Sequence, residues 1–264
     1  MKQPAQTEKA QPEPVALFIS DLHLHESLPH TTQAFFDFLA TRAIKAQRLY
    51  LLGDLFEFWA GDDDISTPYP QQVIDALKRV SDAGVALYWM AGNRDFLVNR
   101  RFAKATGAKL LSDPHNVTLV GKKLVLAHGD EQCTSDTAYM TWRAQVRQPD
   151  WQRTFLALPL GQRKSIIEGM RDRSRAANSQ KSYEIMDVNA DAIAALFRKS
   201  GASVMIHGHT HRPARHEYEE SGKQLLRYVL PDWNCDVEPP RGGWIALETD
   251  GKIKRCGLDG GELD

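Results

Sequence analysis

The sequence predicts an α/β domain with a helical insertion ahead of its last strands. Three observations predict it. Short apolar runs alternate with amphipathic stretches through the first half, residues 135–199 read as helical throughout, and the tail alternates apolar and polar residues around turn glycines.

Residues 15–20 (VALFIS) are an apolar run too short for a helix and bounded by polar residues, which reads as a buried strand. Over 31–47, Ala34, Phe35, Phe38, Leu39 and Ala43 recur at helical spacing and bury one face. A second strand, 49–52 (LYLL), ends in Gly53-Asp54. Residues 71–83 form a second amphipathic helix, closed by Gly84 as its C-terminal cap. A third strand, 85–91, runs into Gly92-Asn93-Arg94-Asp95. Residues 116–127 read as two strands turning at Gly121-Lys122, the second ending in His128-Gly129-Asp130. After the helical stretch, the strand 203–206 leads into His207-Gly208-His209-Thr210-His211. From 215 to 258, β-hairpins turn at Gly222 and Gly251.

A chain of 264 residues with 42% hydrophobic content can bury one sizeable core. The first fourteen residues are polar and read as a disordered leader. The remainder, 15–264, reads as a single domain with its insertion at about 135–199. No stretch approaches the roughly 20 apolar residues that span a bilayer. Cys133, Cys235 and Cys256 are far apart and odd in number, which excludes a disulfide framework or a thiolate zinc site and fits a reducing, cytoplasmic compartment. A net charge of -1 argues against nucleic acid as a partner.

One arrangement recurs five times: a short apolar strand delivers a turn of Asp, Asn, His and Gly. The turns are Asp21-Leu22-His23, Gly53-Asp54, Gly92-Asn93-Arg94-Asp95, His128-Gly129-Asp130 and His207-Gly208-His209. In open α/β sheets, ligand sites lie beyond the carboxyl ends of the strands, so five such turns on one edge would surround a common point. Any one of them alone is explained by turn capping and a surface histidine. Together, carboxylate, amide and imidazole donors without cysteine suit Mn, Fe, Co or Zn. There are more donors than one ion needs. Two ions about 3.5–4 Å apart, sharing a carboxylate, would use them all and clamp both oxygens of a displacement at phosphorus.

The ordered set resembles the calcineurin-like metallophosphoesterase superfamily, whose blocks are D-x-H, GD, GN-[H/R]-[D/E], H and GHTH. The resemblance implies two packed mixed sheets flanked by helices. It implies one ion held by Asp21, His23, Asp54 and His209, and a second by Asp54, Asn93, His128 and His207. Asp54 would bridge them together with the attacking hydroxide.

Relatives that act on phosphoserine carry GNHE, whose histidine helps protonate the leaving alkoxide; here the block is GNRD. The Arg94 guanidinium is always charged and cannot act as a general acid, but it can neutralise phosphate oxygens. That suits a leaving phosphate, whose second pKa is about 6, and hence a pyrophosphate linkage.

Finer matches extend the resemblance over nearly everything after residue 14: SDLHL, GDLFEFWAGDDD, GNRDF, HGD followed by Cys133 and Asp136, IMDVNADA and HGHTHRPA. These are similar to the UDP-2,3-diacylglucosamine diphosphatase family of lipid A biosynthesis. The similarity implies hydrolysis at the α-phosphate, giving UMP and 2,3-diacylglucosamine 1-phosphate (lipid X), with two Mn²⁺ ions per chain. Catalytic roles would fall on Asn93, Arg94 and His128. Substrate contacts would fall on Asn93, Arg94, Asp136, Ser174, Asn178, Lys181 and His207. Departures lie at Glu131-Gln132 and at Pro231-Asp232-Trp233, and they affect local loop shape. A peripheral monomer on the cytoplasmic side of the inner membrane is expected.

Residues 141–182 carry nine basic side chains against Asp150, Glu168 and Asp172, interleaved with apolar residues. Basic amphipathic helices suit an interface with anionic lipid. The alternative is a lid whose apolar face packs on the core. Two other functions stay open at this point: a soluble nucleotide-sugar or dinucleotide pyrophosphatase with the same metals, and a metal-stabilised scaffold.

Overall fold

The structure, a computed structural model, describes residues 14–178, 187–220 and 222–263. The expected leader, except Pro14, lies outside these residues, as does Lys181.

Alternation along the strands decides the architecture. In β1 (Ala16–Ile19) all four side chains are buried. Ala16 and Phe18 enter one apolar cluster while Leu17 and Ile19 enter another. A strand buried on both faces belongs to an interior sheet covered on both sides. The same division holds in β2 (Arg48–Leu52) and β3 (Ala86–Met90). Tyr50, Leu52 and Met90 face inward between sheets, whereas Leu49, Leu51, Leu87 and Trp89 meet the helices. Phe18, Tyr50 and Tyr88 stack in a row across these strands, with ring centroids 4.9 and 4.6 Å apart.

The first sheet has seven strands in the order β12-β11-β10-β1-β2-β3-β4. It is completed by β4 (Lys109–Leu110), β10 (Gly243–Leu247), β11 (Ile253–Gly257) and β12 (Glu262–Leu263). β1 to β4 pair in parallel and the others antiparallel. The second sheet has five strands, ordered β5-β6-β7-β9-β8. They are β5 (His115–Leu119), β6 (Lys122–Ala127), β7 (Val204–His207), β8 (Ala214–Glu220) and β9 (Lys223–Val229). It too is mixed. The inward faces share one cluster around Phe18, Tyr50, Leu126, Ile206 and Ile245. Helices α1 (Pro29–Thr41), α2 (Pro68–Asp82) and α3 (Arg100–Thr106) cover the first sheet through Phe35, Leu77 and Phe102. α7 (Ala190–Ser200) covers the second through Ile193, Leu196 and Phe197. The result is the expected pair of mixed sheets flanked by helices.

Local differences from the sequence reading have simple causes. The amphipathic stretch from 31 splits into α1 and a 3-10 turn at Ala43–Lys45. The β5–β6 turn centres on Val120-Gly121, with φ of 49° and 71°, one residue earlier than expected. Positive φ at both central residues matches the strand twist of a two-residue hairpin. Helices α4 (Thr137–Val146), α5 (Pro149–Leu156) and α6 (Leu160–Asn178) follow β6. Trp151, Leu156, Leu158, Ile166 and Ile167 pack against the helix-facing core of the first sheet. No helix among the described residues is long and apolar enough to cross a membrane.

Candidate metal centre and adjoining cavity

The five turns do meet. Past the end of β1, the Asp21 amide donates to the Gly53 carbonyl at 3.1 Å and the His23 amide to the Asp54 carbonyl at 3.0 Å, so parallel pairing continues into the loops. Gly92 packs so tightly on the Asp54 carboxylate, and Gly208 on that of Asp21, that a Cβ on either glycine would collide with it. Six non-glycine residues among those described have positive φ, and five of them are Asp21, His23, Asp54, His209 and His211. Such backbone strain persists only where the surroundings over-determine it, and it gathers at functional sites.

Asp95 ties the second loop to the third. It is wholly buried and accepts from the amides of Leu55 at 2.8 Å, Gly92 at 3.0 Å, Asp54 at 3.2 Å and Phe56 at 3.3 Å. Burial and the neighbouring Asp54 charge, only partly offset by the amide donors, push its carboxyl up to about 7. Its place in the GNRD block was the only signal for this role in the sequence.

The donors are arranged as follows. Nδ1 of His128 lies 2.9 Å from the Leu52 carbonyl, which fixes the proton there. Nε2 then points at Asn93 Oδ1, 2.9 Å away, and at Asp54 Oδ2, 3.7 Å away. The same Asn93 oxygen is 2.9 Å from Nδ1 of His209. Asp21 Oδ2 accepts from the Ser20 hydroxyl and the His209 amide, while its buried Oδ1, 3.5 Å from His211 Nε2, has no hydrogen-bond donor among the described residues. Two triads therefore offer ligand atoms within 4.8 Å of one another: Asp21, Asp54 and His128, and Asp21, His23 and His211. His211 is the member that the sequence reading left out; it sits in the same HGHTH block.

Electrostatics agrees with a cation site. Burial disfavours a charged His128, but Asp54, Asp21, Asp130 and Asp113 outweigh it and raise the imidazole to about 9. Burial also opposes ionisation of Asp21, yet His211, His128 and His23 hold its carboxyl well below the carboxylate range. Burial, and then His128, lower His209 to about 4; burial, and then Arg227, lower His207 to about 3. Both rings are thus neutral and able to offer lone pairs, as metal ligands must. Converging carboxylates, an amide oxygen and imidazoles with no sulfur fit divalent ions of the Mn, Fe or Zn kind.

His207 stands apart in detail. It is wholly buried beside the cluster, with Nδ1 2.9 Å from the Gly208 carbonyl and Nε2 3.0 Å from Arg227 Nη1. A ligand role requires one of these two contacts to give way to the ion.

A cavity of about 690 Å³ opens from this centre. Its lining includes the polar side chains of Asp54, Asn93, Arg94, His209 and Asp136 and the apolar side chains of Phe96, Trp142, Trp151, Phe155, Ile167 and Met170. The apolar wall comes largely from α4, α5 and α6. Asp136 also caps α4, accepting from the Tyr139 amide at 3.1 Å. Ser174 and Asn178 lie on α6, four residues apart, with side chains outside those described.

Most of the basic residues of 141–182 meet acidic groups. Arg143 donates to Asp130 at 2.8 Å, Arg147 is 3.7 Å from Asp130, Arg153 pairs with Asp150, and Lys164 with Asp64. Arg163 binds Asp63 and the Ala60 carbonyl, and Arg171 binds Glu57. The side chains of Arg173, Arg175 and Lys181 lie outside the described residues. Six of the nine thus have acidic partners, five of them on the core.

Fold and site together define a metal-dependent phosphoesterase. The sequence profile of the calcineurin-like phosphoesterase family matches residues 15–213. The UDP-2,3-diacylglucosamine hydrolase of Chromohalobacter salexigens is 49% identical over 234 residues, covering 89% of this chain and 93% of that protein. The hydrolases of that name from Cellvibrio japonicus and Klebsiella pneumoniae are 47% and 48% identical, covering 83% of this chain and 90% and 91% of theirs. The chain belongs to the calcineurin-like phosphoesterase family, in the group these relatives form.

Proposed function

We propose that this protein hydrolyses the pyrophosphate bond of UDP-2,3-diacylglucosamine at the α-phosphate, releasing UMP and 2,3-diacylglucosamine 1-phosphate in lipid A biosynthesis. The observation that carries it is one cavity lined both by oxygen and nitrogen ligands and by aromatic and aliphatic side chains. A diphosphate and acyl chains need those two surroundings side by side. The relatives' name supplies the substrate class.

Asp21, His23, Asp54 and His209 would hold one ion, and Asp54, Asn93, His128 and His207 the other, both Mn²⁺ in our proposal. When bound, the pair would supply Lewis acidity and a nucleophile at neutral pH. Arg94 would neutralise the diphosphate oxygens, its backbone amide already anchored 2.8 Å from Asp54 Oδ1. The departing sugar phosphate needs no protonation at neutral pH, consistent with arginine where a general acid would otherwise stand. Asp136, Ser174, Asn178 and Lys181 would contact the glucosamine and phosphates. Residues of about 135–199 would form the lid, and a peripheral monomer at the cytoplasmic face of the inner membrane would meet its lipid substrate there.

Hydrolysis in ¹⁸O-water tests the position of attack. Label in UMP is the expected result; label in the lipid phosphate would place the attack on the other phosphorus.

A further inference from the structure

The sequence GDLFEFWAGDDD runs on past Asp54 into residues that the chemistry above does not use. Three of them receive cations from α6: Glu57 from Arg171, Asp63 from Arg163 and Asp64 from Lys164. Lys164 and Arg171 are seven residues apart, two helical turns, and so share a face. Asp63 and Asp64 lead nowhere further. Glu57 does.

Each oxygen of the Glu57 carboxylate has its own partner. Oε1 accepts from Arg171, and Oε2 lies 3.0 Å from Nδ1 of His23. The contact is a close electrostatic one, not an aligned hydrogen bond; a carboxylate only accepts, so its charge favours the proton of a neutral His23 on Nδ1, with the lone pair on Nε2. That nitrogen is turned inward, 3.2 Å from Nε2 of His211, which in turn lies 3.5 Å from Asp21 Oδ1. The backbone keeps the pair in register: the Glu57 amide donates to the Leu24 carbonyl at 3.1 Å, and Leu24 and Phe56 form a parallel bridge. Arg171 is held twice, its guanidinium carbon also 5.5 Å from the centre of the Phe58 ring. His23, Glu57 and Arg171 are 15%, 20% and 16% exposed, so the chain of contacts is largely shielded from solvent.

We propose that Glu57 is a positioning residue for the metal centre, fixing which nitrogen of His23 carries the proton and itself held in place by Arg171 of α6. The inference rests on the dinuclear reading of the site. It ties the seating of α6 to one metal position, the one served by His23, and leaves the position served by Asn93 and His128 alone. Outer-shell carboxylates of this kind set ligand orientation and basicity, and their loss typically costs about 10- to 100-fold in metal affinity.

The test is titration of the metal-stripped full chain with Mn²⁺, followed by calorimetry and by electron paramagnetic resonance, with Tm recorded on the stripped protein. Glu57→Gln keeps the shape and removes the charge. One of the two ions should then bind about 10- to 100-fold more weakly, the other within about twofold of wild type, with Tm little changed. Arg171→Gln should weaken the same ion by a smaller factor. Unchanged affinities in both variants would overturn the proposal, as would equal weakening of both ions alongside a lower Tm, the mark of a merely structural tie. If Glu57→Gln does not fold, Arg171→Gln decides alone, and wild-type affinities in it overturn the proposal. Failure of the wild-type chain to bind two ions would instead remove the dinuclear reading, and this inference with it.

Discussion

The amide oxygen of Asn93 stands 2.9 Å from Nε2 of His128, across 35 positions of sequence. The other nitrogen of that ring is fixed by the Leu52 carbonyl. Two groups so held can converge on one ion without reorganising. Asn93→Ala should therefore lower metal content from two ions toward one and reduce kcat by at least about 100-fold, or about 3 kcal/mol of transition-state stabilisation. Mass spectrometric metal analysis alongside steady-state kinetics checks it. Two retained ions with near-normal kcat would contradict the assignment.

In the proposed ligand sets Asp54 is the shared member, although the two triads the structure brings together have Asp21 in common; Asp54→Ala should abolish turnover in a folded protein. Near-normal kcat in that variant would rule out a shared bridge.

Arg94 holds Asp54 through its backbone amide, which Arg94→Ala preserves. Metal content should stay at the wild-type level while kcat/KM falls about 100-fold, since in the proposal the guanidinium serves substrate phosphate. Unchanged kinetics would take Arg94 out of the phosphate site.

Met170 lies on the apolar wall of the cavity. Met170→Glu would set a charge where acyl chains are expected. KM for the diacylated substrate should rise at least about tenfold, or about 1.4 kcal/mol, with metal content unchanged. An unaltered KM would mean that the chains lie elsewhere.

Helix α1 has Leu28 at its N-cap position, which offers no side-chain cap. Asp236 supplies one from 205 residues away, accepting from the Thr31 amide at 2.9 Å, the His30 amide at 3.0 Å and the Thr31 hydroxyl at 2.7 Å. Asp236→Ala should cost about 1 kcal/mol in urea denaturation. Slight burial raises the Asp236 carboxyl, but these donors outweigh it and depress the folded-state value. Its contribution is therefore present above the unfolded carboxylate pKa, about 3.9, and is lost as pH falls through the depressed folded value. A cost that does not shrink as pH falls below about 3.9 would contradict this.

What could be read in the sequence was whatever the chain states locally. The five ligand turns carry their residues side by side, and strand and helix periods mark most elements. α3 escaped because seven residues burying only Phe102 and Thr106 give no periodic signal, and β4 because it is two residues long. Contacts between distant segments were also illegible. Arg163, Lys164 and Arg171 read as a basic surface until the acids 100 and 114 residues earlier stood opposite them. His211 read as the end of a motif until the fold brought it to Asp21 and His23.

The most direct test is to offer the Mn²⁺-loaded protein UDP-2,3-diacylglucosamine in detergent beside UDP-glucosamine without acyl chains, and to measure UMP. Release from the acylated substrate alone, stopped by chelator, is the predicted result, since the apolar wall of the cavity is then part of recognition. Equal release from both would contradict it and leave a general nucleotide-sugar pyrophosphatase.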